Sequence, residues 1–493
     1  MKLIRERCSG CAYCALVCPY DAVIVDGWAR LVAERCTECN RCYYACPNDC
    51  FVPEETLELH RRRVAPQYDV IVIGAGLGGL MAATALARQG RHVAIFEKLS
   101  FAGGRYTGLE YRNAIVPTAA WTSLGPRSHI GRFLSDVGIG SDSSPAPMRY
   151  ISLREAGVRE QFSVRFPDGR HYASLLALLT PATRRQWLCA VARGRDAAPD
   201  NVSAHDYIAG MCDDADLLAV VDAIAATASA VDSRTLPARE FIQIVLDTRA
   251  AGEDFAVPAG GVVTIIEALT RAFAAAGGEL HLRTGVGRIR VADGRVIGVH
   301  LADGRAVSAP IVVHNAGPAR LMRLIGADTL PAGYLARLRS LRGADCGAIV
   351  FATRERLFDD APILMTPGCR RVTGVFSPTR LDPALSREGL HLYDAFFPLH
   401  SPDRKGELIL AQADLHALFP ALDATLVWQL PMFFTGGWPG TESAQTFGQT
   451  GDRRLSPQTP IAGLYLVGMD GQGSGVAGDV IPQGVRRLLD ALG

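Results

Sequence analysis

YDVIVIGAGLGGLMAATALARQGRHVAIFEK, residues 68–98, decides the fold of most of this 493-residue chain. After Asp69, the apolar run Val70-Ile71-Val72-Ile73 has the length and composition of one buried strand. It leads into Gly74-x-Gly76-x-x-Gly79. Gly74 permits a tight turn, Gly76 lets backbone approach a pyrophosphate, and Gly79 allows a helix to pack closely on the strand. An alanine-rich helix is expected from Leu80 to Arg88, with the free N–H groups at its start facing phosphates. Gly90 ends it, and a second strand, Val93 to Phe96, delivers Glu97, 23 residues past Gly74. A carboxylate there suits a ribose hydroxyl pair and repels a 2′-phosphate. A lone glycine motif says little; the whole strand–turn–helix–strand–acid unit reads as a dinucleotide-binding α/β element.

Upstream, the chain changes character. Of 13 cysteines, nine lie in the first 50 residues. Cys8, Cys11, Cys14 and Cys18-Pro19 form a C-x2-C-x2-C-x3-C-P run, and Cys36, Cys39, Cys42 and Cys46-Pro47 repeat it with the same spacing. Paired C-x2-C zinc sites explain neither the third cysteine nor the proline. The first cysteine occupies the place where the apolar core of a secretion signal would lie. A reducing, cytoplasmic setting is therefore expected, and it disfavours disulfides. The unit resembles a bacterial-type two-cluster ferredoxin, in which the fourth cysteine of each run serves the other cluster. That resemblance implies one [4Fe-4S] cluster on Cys8, Cys11, Cys14 and Cys46, and a second on Cys18, Cys36, Cys39 and Cys42. Cys50 falls outside the pattern and reads as a packed free thiol rather than a ligand. Cys189, Cys212, Cys346 and Cys369 share no spacing and read as structural.

Downstream, residues 280–314 alternate with period two around Asp293-Gly294 and Asp303-Gly304, the pattern of a three-stranded meander. Gly103-Gly104-Arg105 follows Glu97. Near the other end stand Gly463-Leu-Tyr-Leu-Val-Gly468 and Gly471-Gln-Gly-Ser-Gly475-Val476-Ala-Gly478. With Pro258-Ala-Gly-Gly261 and Asn315-Ala-Gly317, these segments resemble the phytoene desaturase and amine oxidase superfamily of flavoproteins, its desaturase-like branch above all. The resemblance implies FAD, held by Gly74, Gly76, Gly79, Glu97, Gly103, Gly104, Arg105, Gly468, Asp470, Gly475 and Val476. One position departs: the family's Asp after the "LVG" segment is Met469 here, and Asp470 comes one place later.

The fold expected is α/β: a Rossmann-like FAD-binding domain of glutathione-reductase type, a mixed α+β substrate domain and a small α+β ferredoxin domain. The ferredoxin domain would take 1–52 and a linker 53–67. The FAD-binding domain would take 68–105, 255–320 and 453–493, leaving 106–254 and 321–452 to the substrate domain. The linker carries Glu54, Glu55, Glu58 and Arg61-Arg62-Arg63, read as a solvated helix end rather than a docking site for an acidic carrier. Leu217 to Val231 reads as a buried helix too short to span a bilayer.

A net charge of +1 gives no electrostatic reason to expect nucleic acid. Mean hydropathy of +0.13 admits an apolar substrate pocket or a surface in peripheral contact with a membrane. Trp428, Phe433, Phe434 and Trp438, after a short amphipathic helix beginning near Leu415, read as core, with a tunnel wall or membrane-dipping surface as the sharper alternative. His129, Tyr106, Trp121 and Asp394 are candidates for the substrate face, indistinguishable in sequence from structural residues. No catalytic acid or base is identified.

Flavin takes two electrons and each cluster one, so a fused ferredoxin unit suits one-electron feeding or draining. No second strand–GxGxxG–helix unit offers a dedicated NAD(P)H site. The electron port is then the ferredoxin unit, met by an external ferredoxin or flavodoxin. Small two-cluster ferredoxins are expected at low potential. Driving two electrons uphill by about 300 mV would cost about 14 kcal/mol, at roughly 1.4 kcal/mol per 30 mV. The expectation is therefore delivery from clusters to FAD, then hydride to a carbon–carbon double bond of an apolar, polyene- or isoprenoid-like substrate. Alternatives are a desaturase exporting electrons through the clusters, and an electron-transfer subunit relaying to a partner enzyme.

Overall fold

In the computed structural model, residues 1–53, 63–140, 148–252, 255–435 and 444–493 are described. Glu54, Glu55, Glu58, Arg61, Arg62 and Trp438 lie outside them.

The five-stranded sheet at the centre is entirely parallel, in the order Glu279–His281, Val93–Phe96, Val70–Ile73, Ile311–His314, Leu464–Leu466. Parallel strands covered on both faces read as continuous apolar runs, and Val70–Ile73 and Val93–Phe96 are buried at every position. The first helix, Leu77–Arg88, begins three residues before the Leu80 expected from sequence. Gly78 and Gly79 sit inside its first turn because a side chain at Gly79 would place Cβ 2.2 Å from the Gly74 carbonyl oxygen. The terminal helix Ile481–Leu492 and Val263–Ala275 pack on it.

The meander forms as Val286–Ala292, Arg295–Leu301 and Ala306–Ser308, antiparallel throughout. Asp293 and Gly294 both have positive φ (49° and 70°), the geometry a two-residue hairpin needs to match strand twist.

The two motif-poor segments build a seven-stranded sheet, ordered His171–Tyr172, Phe162–Arg165, Ile363–Met365, Gly374–Phe376, His391–Pro398, Cys346–Thr353, Leu426–Phe434. All its pairings are antiparallel except Phe162–Arg165 with Ile363–Met365. The helix read from Leu217 to Val231 spans Ala215–Ser229 and is capped by the Asp214 carboxylate. The helix placed near Leu415 instead runs Arg404–Leu418. The aromatic group after it lies on the strand Leu426–Phe434, where Trp428, Phe433 and Phe434 are 6%, 0% and 4% exposed. The membrane-dipping reading of these three is thereby overturned. Trp428 and Phe434 are core because the ferredoxin unit packs on their face of the strand, and Phe433 because it packs against Phe397 on the other. Phe433 N–H also donates to the Gly10 carbonyl at 3.0 Å, closing an otherwise open sheet edge.

That unit is a small two-fold repeat. Lys2–Leu3 pairs with Phe51–Val52, Val23–Val25 with Ala29–Leu31, and the short helices Tyr13–Leu16 and Arg41–Ala45 pack together. Among the described residues, no helix is long and apolar enough to cross a membrane.

Candidate functional site

A groove of about 300 Å³ runs over the carboxyl ends of the parallel strands. Gly74, Gly76, Glu97, Gly103, Gly104, Arg105, Gly468 and Asp470 all line it, although they come from three separated segments. The close approach is built from missing side chains. Gly76 and Gly103 bridge to each other, a Cβ on Gly76 would meet the Asn315 amide nitrogen at 2.8 Å, and Gly103 takes φ +97°. The helix Leu77–Arg88 starts at Gly76 with no side-chain cap, so its first N–H groups remain available to an anion. Glu97 accepts from Ala75 N–H at 2.7 Å and Leu99 N–H at 2.8 Å, while burial pushes its carboxyl above the usual range. These residues fit a dinucleotide: glycines where backbone must approach, free N–H groups for the pyrophosphate, and an acid for the ribose.

Gly79 packs beneath the groove rather than lining it. Gly475 and Val476 sit elsewhere. Gly475 N–H donates to the buried Glu240 carboxylate at 2.8 Å, and Val476 faces the adjoining cavity. The departing loop is held by Arg454, 4% exposed, whose guanidinium donates to the carbonyls of Gly471 (2.9 Å) and Met469. Asp470 therefore stays at the groove despite its one-place shift. Neither Arg454 nor Glu240 carries a local motif; only their buried contacts with the loop reveal them.

Tyr106, Ala120, Trp121, Thr227, Ala228 and Gly478 line both the groove and a second cavity of about 660 Å³. Leucine, isoleucine, valine and phenylalanine dominate its wall, and Arg159 and Arg249 are exposed at its margin. Of the four sequence candidates, the structure brings two here. Tyr106 donates to the Thr122 carbonyl at 3.1 Å and is held protonated by burial; Trp121 stacks on Phe376, 3.8 Å between ring centroids. His129 instead starts a helix, its backbone N–H bound by Asp479 at 2.9 Å. Asp394 is buried within the seven-stranded sheet, where desolvation pushes its carboxyl up to about 7.

The cysteines separate into two sets. Cys8, Cys11, Cys14 and Cys46 line one small cavity; Cys18, Cys36, Cys39 and Cys42 line another. Each set takes three thiols from one run and the fourth from the other. Among the described residues no three Cys, His, Asp or Glu converge as a mononuclear metal site would require. Backbone N–H groups of Ala29, Cys50 and Ala22 point at Cys8, Cys46 and Cys18 sulfurs, each at 3.3 Å. Thiols spread around a void, with N–H donors aimed at sulfur, fit cubanes.

The sets differ in place. In the first, Cys11, Cys14 and Cys46 are buried; in the second, Cys39 is exposed and the rest half-buried. The inner set abuts the groove. Tyr13, fully buried next to Cys14, donates to the Gly104 carbonyl at 3.0 Å, and Pro47, next to Cys46, lines the groove itself. Lys98 Nζ to the Pro47 carbonyl (2.9 Å) and Arg404 to the Cys8 carbonyl (2.9 Å) complete the docking. Sequence reading missed Tyr13, which looks like any aromatic inside a ligand loop.

Comparison with known proteins agrees. Residues 77–486 match the flavin containing amine oxidoreductase family, and residues 1–24 match a 4Fe-4S binding domain. A zeta-carotene-forming phytoene desaturase of Myxococcus xanthus is 25% identical, over 82% of this chain and 90% of that one. A chloroplastic prolycopene isomerase of Daucus carota is 26% identical, over 53% of this chain and 48% of that protein. An oxidoreductase structure from Methanosarcina mazei superposes with a TM-score of 0.75 at 27% identity, over 85% of this chain and 99% of that one. The chain thus belongs to the flavin containing amine oxidoreductase family, as an FAD-dependent oxidoreductase that also carries a 4Fe-4S ferredoxin-type segment.

Proposed function

We propose that the chain is a reductase of carbon–carbon double bonds in apolar, polyene- or isoprenoid-like substrates, supplied with single electrons by an external ferredoxin or flavodoxin. The observation that carries this reading is a continuous order of sites: partly exposed cysteine set, more buried cysteine set, dinucleotide groove, apolar cavity. Bound clusters would supply one-electron steps and bound FAD two-electron hydride chemistry.

The residues of the chain have separable tasks. Cys18, Cys36, Cys39 and Cys42 would hold the cluster nearer the surface, within reach of a protein carrier, and Cys8, Cys11, Cys14 and Cys46 the inner one. Tyr13 ties the inner loop to Gly104, fixing the spacing between thiols and groove. Tyr106 and Trp121 stand where groove meets cavity and orient an apolar chain against the flavin face. The apolar wall excludes water there. A cavity of this size opening on the groove argues against a mere relay subunit, which needs no room for a small molecule.

An anaerobic assay with chemically reduced ferredoxin and a coloured polyene should bleach the chromophore at a rate set by carrier concentration. Desaturation is the competing reading, favoured by the likeness to the Myxococcus phytoene desaturase. New double bonds formed with oxidised carrier, together with cluster potentials above that of the flavin, would replace the reductase assignment with it.

A further inference from the structure

Cys50, outside both ligand runs, does not pack away from them. It is 2% exposed and lines the same cavity as Cys8, Cys11, Cys14 and Cys46. Its side chain borders that cavity beside Cys8 and Cys46, and its backbone N–H donates to the Cys46 sulfur at 3.3 Å. A cubane takes one terminal thiolate per iron, so a fifth cysteine at a complete set of four is surplus as a ligand.

The internal repeat supplies a control. Cys50 lies four residues after Cys46, and the corresponding position after Cys18 is Ala22. Both residues direct a backbone N–H at the preceding cysteine sulfur at 3.3 Å, and both line their own cavity. The backbone environments match. What distinguishes them is a thiol at the inner set and a methyl at the outer.

That difference falls where the electron path needs it. Reduction adds negative charge to a cluster, and burial disfavours the more charged form, lowering the potential. The inner set is the more buried, so burial by itself would make the step from outer to inner cluster unfavourable. A hydrogen-bond donor aimed at cluster sulfur acts in the opposite sense, stabilising the added charge.

We infer that Cys50 is a positioning residue for the inner cluster, its S–H donating to the Cys8 and Cys46 thiolates and raising that cluster's reduction potential relative to the outer one. The inference rests on the two-cluster reading above but not on the identity of the substrate.

The test is a spectroscopically monitored redox titration of anaerobically purified holoprotein and of Cys50→Ala, which copies the Ala22 environment. The inner cluster's reduction equilibrium should fall about tenfold, which is about 59 mV for one electron, with the outer midpoint and the iron content unchanged. Cys50→Ser, which keeps a donor, should restore most of the shift. An inner midpoint unmoved in Cys50→Ala overturns the inference. So does loss of one cluster's iron, which would make Cys50 a ligand. The titration contains no substrate, so a protein that reduces no polyene could still pass it.

Discussion

At the scale of single residues, the site depends on atoms that are missing and charges that are hidden. Gly79→Ala would drive a methyl to within 2.2 Å of the Gly74 carbonyl and 3.0 Å of the Asn315 amide. The nearer neighbour is backbone and cannot swing aside as a side-chain end could. The variant should lose about 1–3 kcal/mol of stability and most of its FAD, read as a flavin-to-protein ratio and a lowered Tm. Asp394 offers a test of opposite sign. Its buried carboxyl is held at about 7, against 3.8 for the free side chain. Between those values the folded protein keeps a proton that the unfolded chain releases, so stability falls as pH rises through this window. By pH 8 the loss reaches as much as about 4 kcal/mol, at 1.36 kcal/mol per unit. Asp394→Asn should then raise the chemical denaturation midpoint at pH 8 and leave it almost unchanged at pH 4. Glycine spacing made the first position legible in sequence; Asp394 was visible only as an acid of unknown surroundings. Its burial comes from strands Cys346–Thr353 and Gly374–Phe376 on either side, neither of them its neighbour in sequence.

At the scale of elements, the junction between ferredoxin unit and seven-stranded sheet is the contact that sequence concealed. Gly10 holds φ +82°, its carbonyl accepts from Phe433 N–H, and a Cβ there would meet the Gly27 carbonyl oxygen at 2.4 Å. Gly10→Ala should cost about 1–2 kcal/mol from the left-handed backbone alone, and more from the clash. Calorimetry should show a lower Tm, with loosened docking detectable as faster amide exchange at Phe433. The strands and helices of the parallel sheet were readable because each satisfies its own pattern. The sheet of residues 162–434 was not, because its strands pair across long intervals: Phe162–Arg165 with Ile363–Met365, and Cys346–Thr353 with Leu426–Phe434. Apolar runs of strand length in those segments suit buried helix and buried strand alike.

Across the whole molecule, the cysteine partition can be tested by crossing. Cys18 and Cys36 belong to different runs but line one cavity, whereas Cys46 joins Cys8 in the other. On the proposed two-cluster arrangement, Cys18→Ser and Cys36→Ser should abolish the same spectroscopic signal, and Cys46→Ser the other, each lowering iron from about eight to about four per chain. Loss of the outer cluster should stop flavin reduction by a protein carrier. Tyr13→Phe should leave iron and flavin in place, cost about 1 kcal/mol for one buried hydrogen bond, and slow flavin reduction from pre-reduced clusters in rapid-mixing experiments. The Gly104 carbonyl would still accept from Thr118, so the groove itself should keep its shape.

Sequence alone determined the chemistry this chain can hold: thiols at cubane spacing, and a glycine turn with its acid at dinucleotide spacing. Each cysteine run and the glycine turn is a short-range pattern, in which neighbouring residues lie within a few turns of chain and the backbone between them dictates their geometry. Tertiary structure decided which cysteine set is buried against the groove and which faces solvent, that an apolar cavity opens beside Tyr106 and Trp121, and that Trp428 and Phe433 are core. Those outcomes depend on contacts between segments hundreds of residues apart, which local spacing does not encode and only the packed chain brings together.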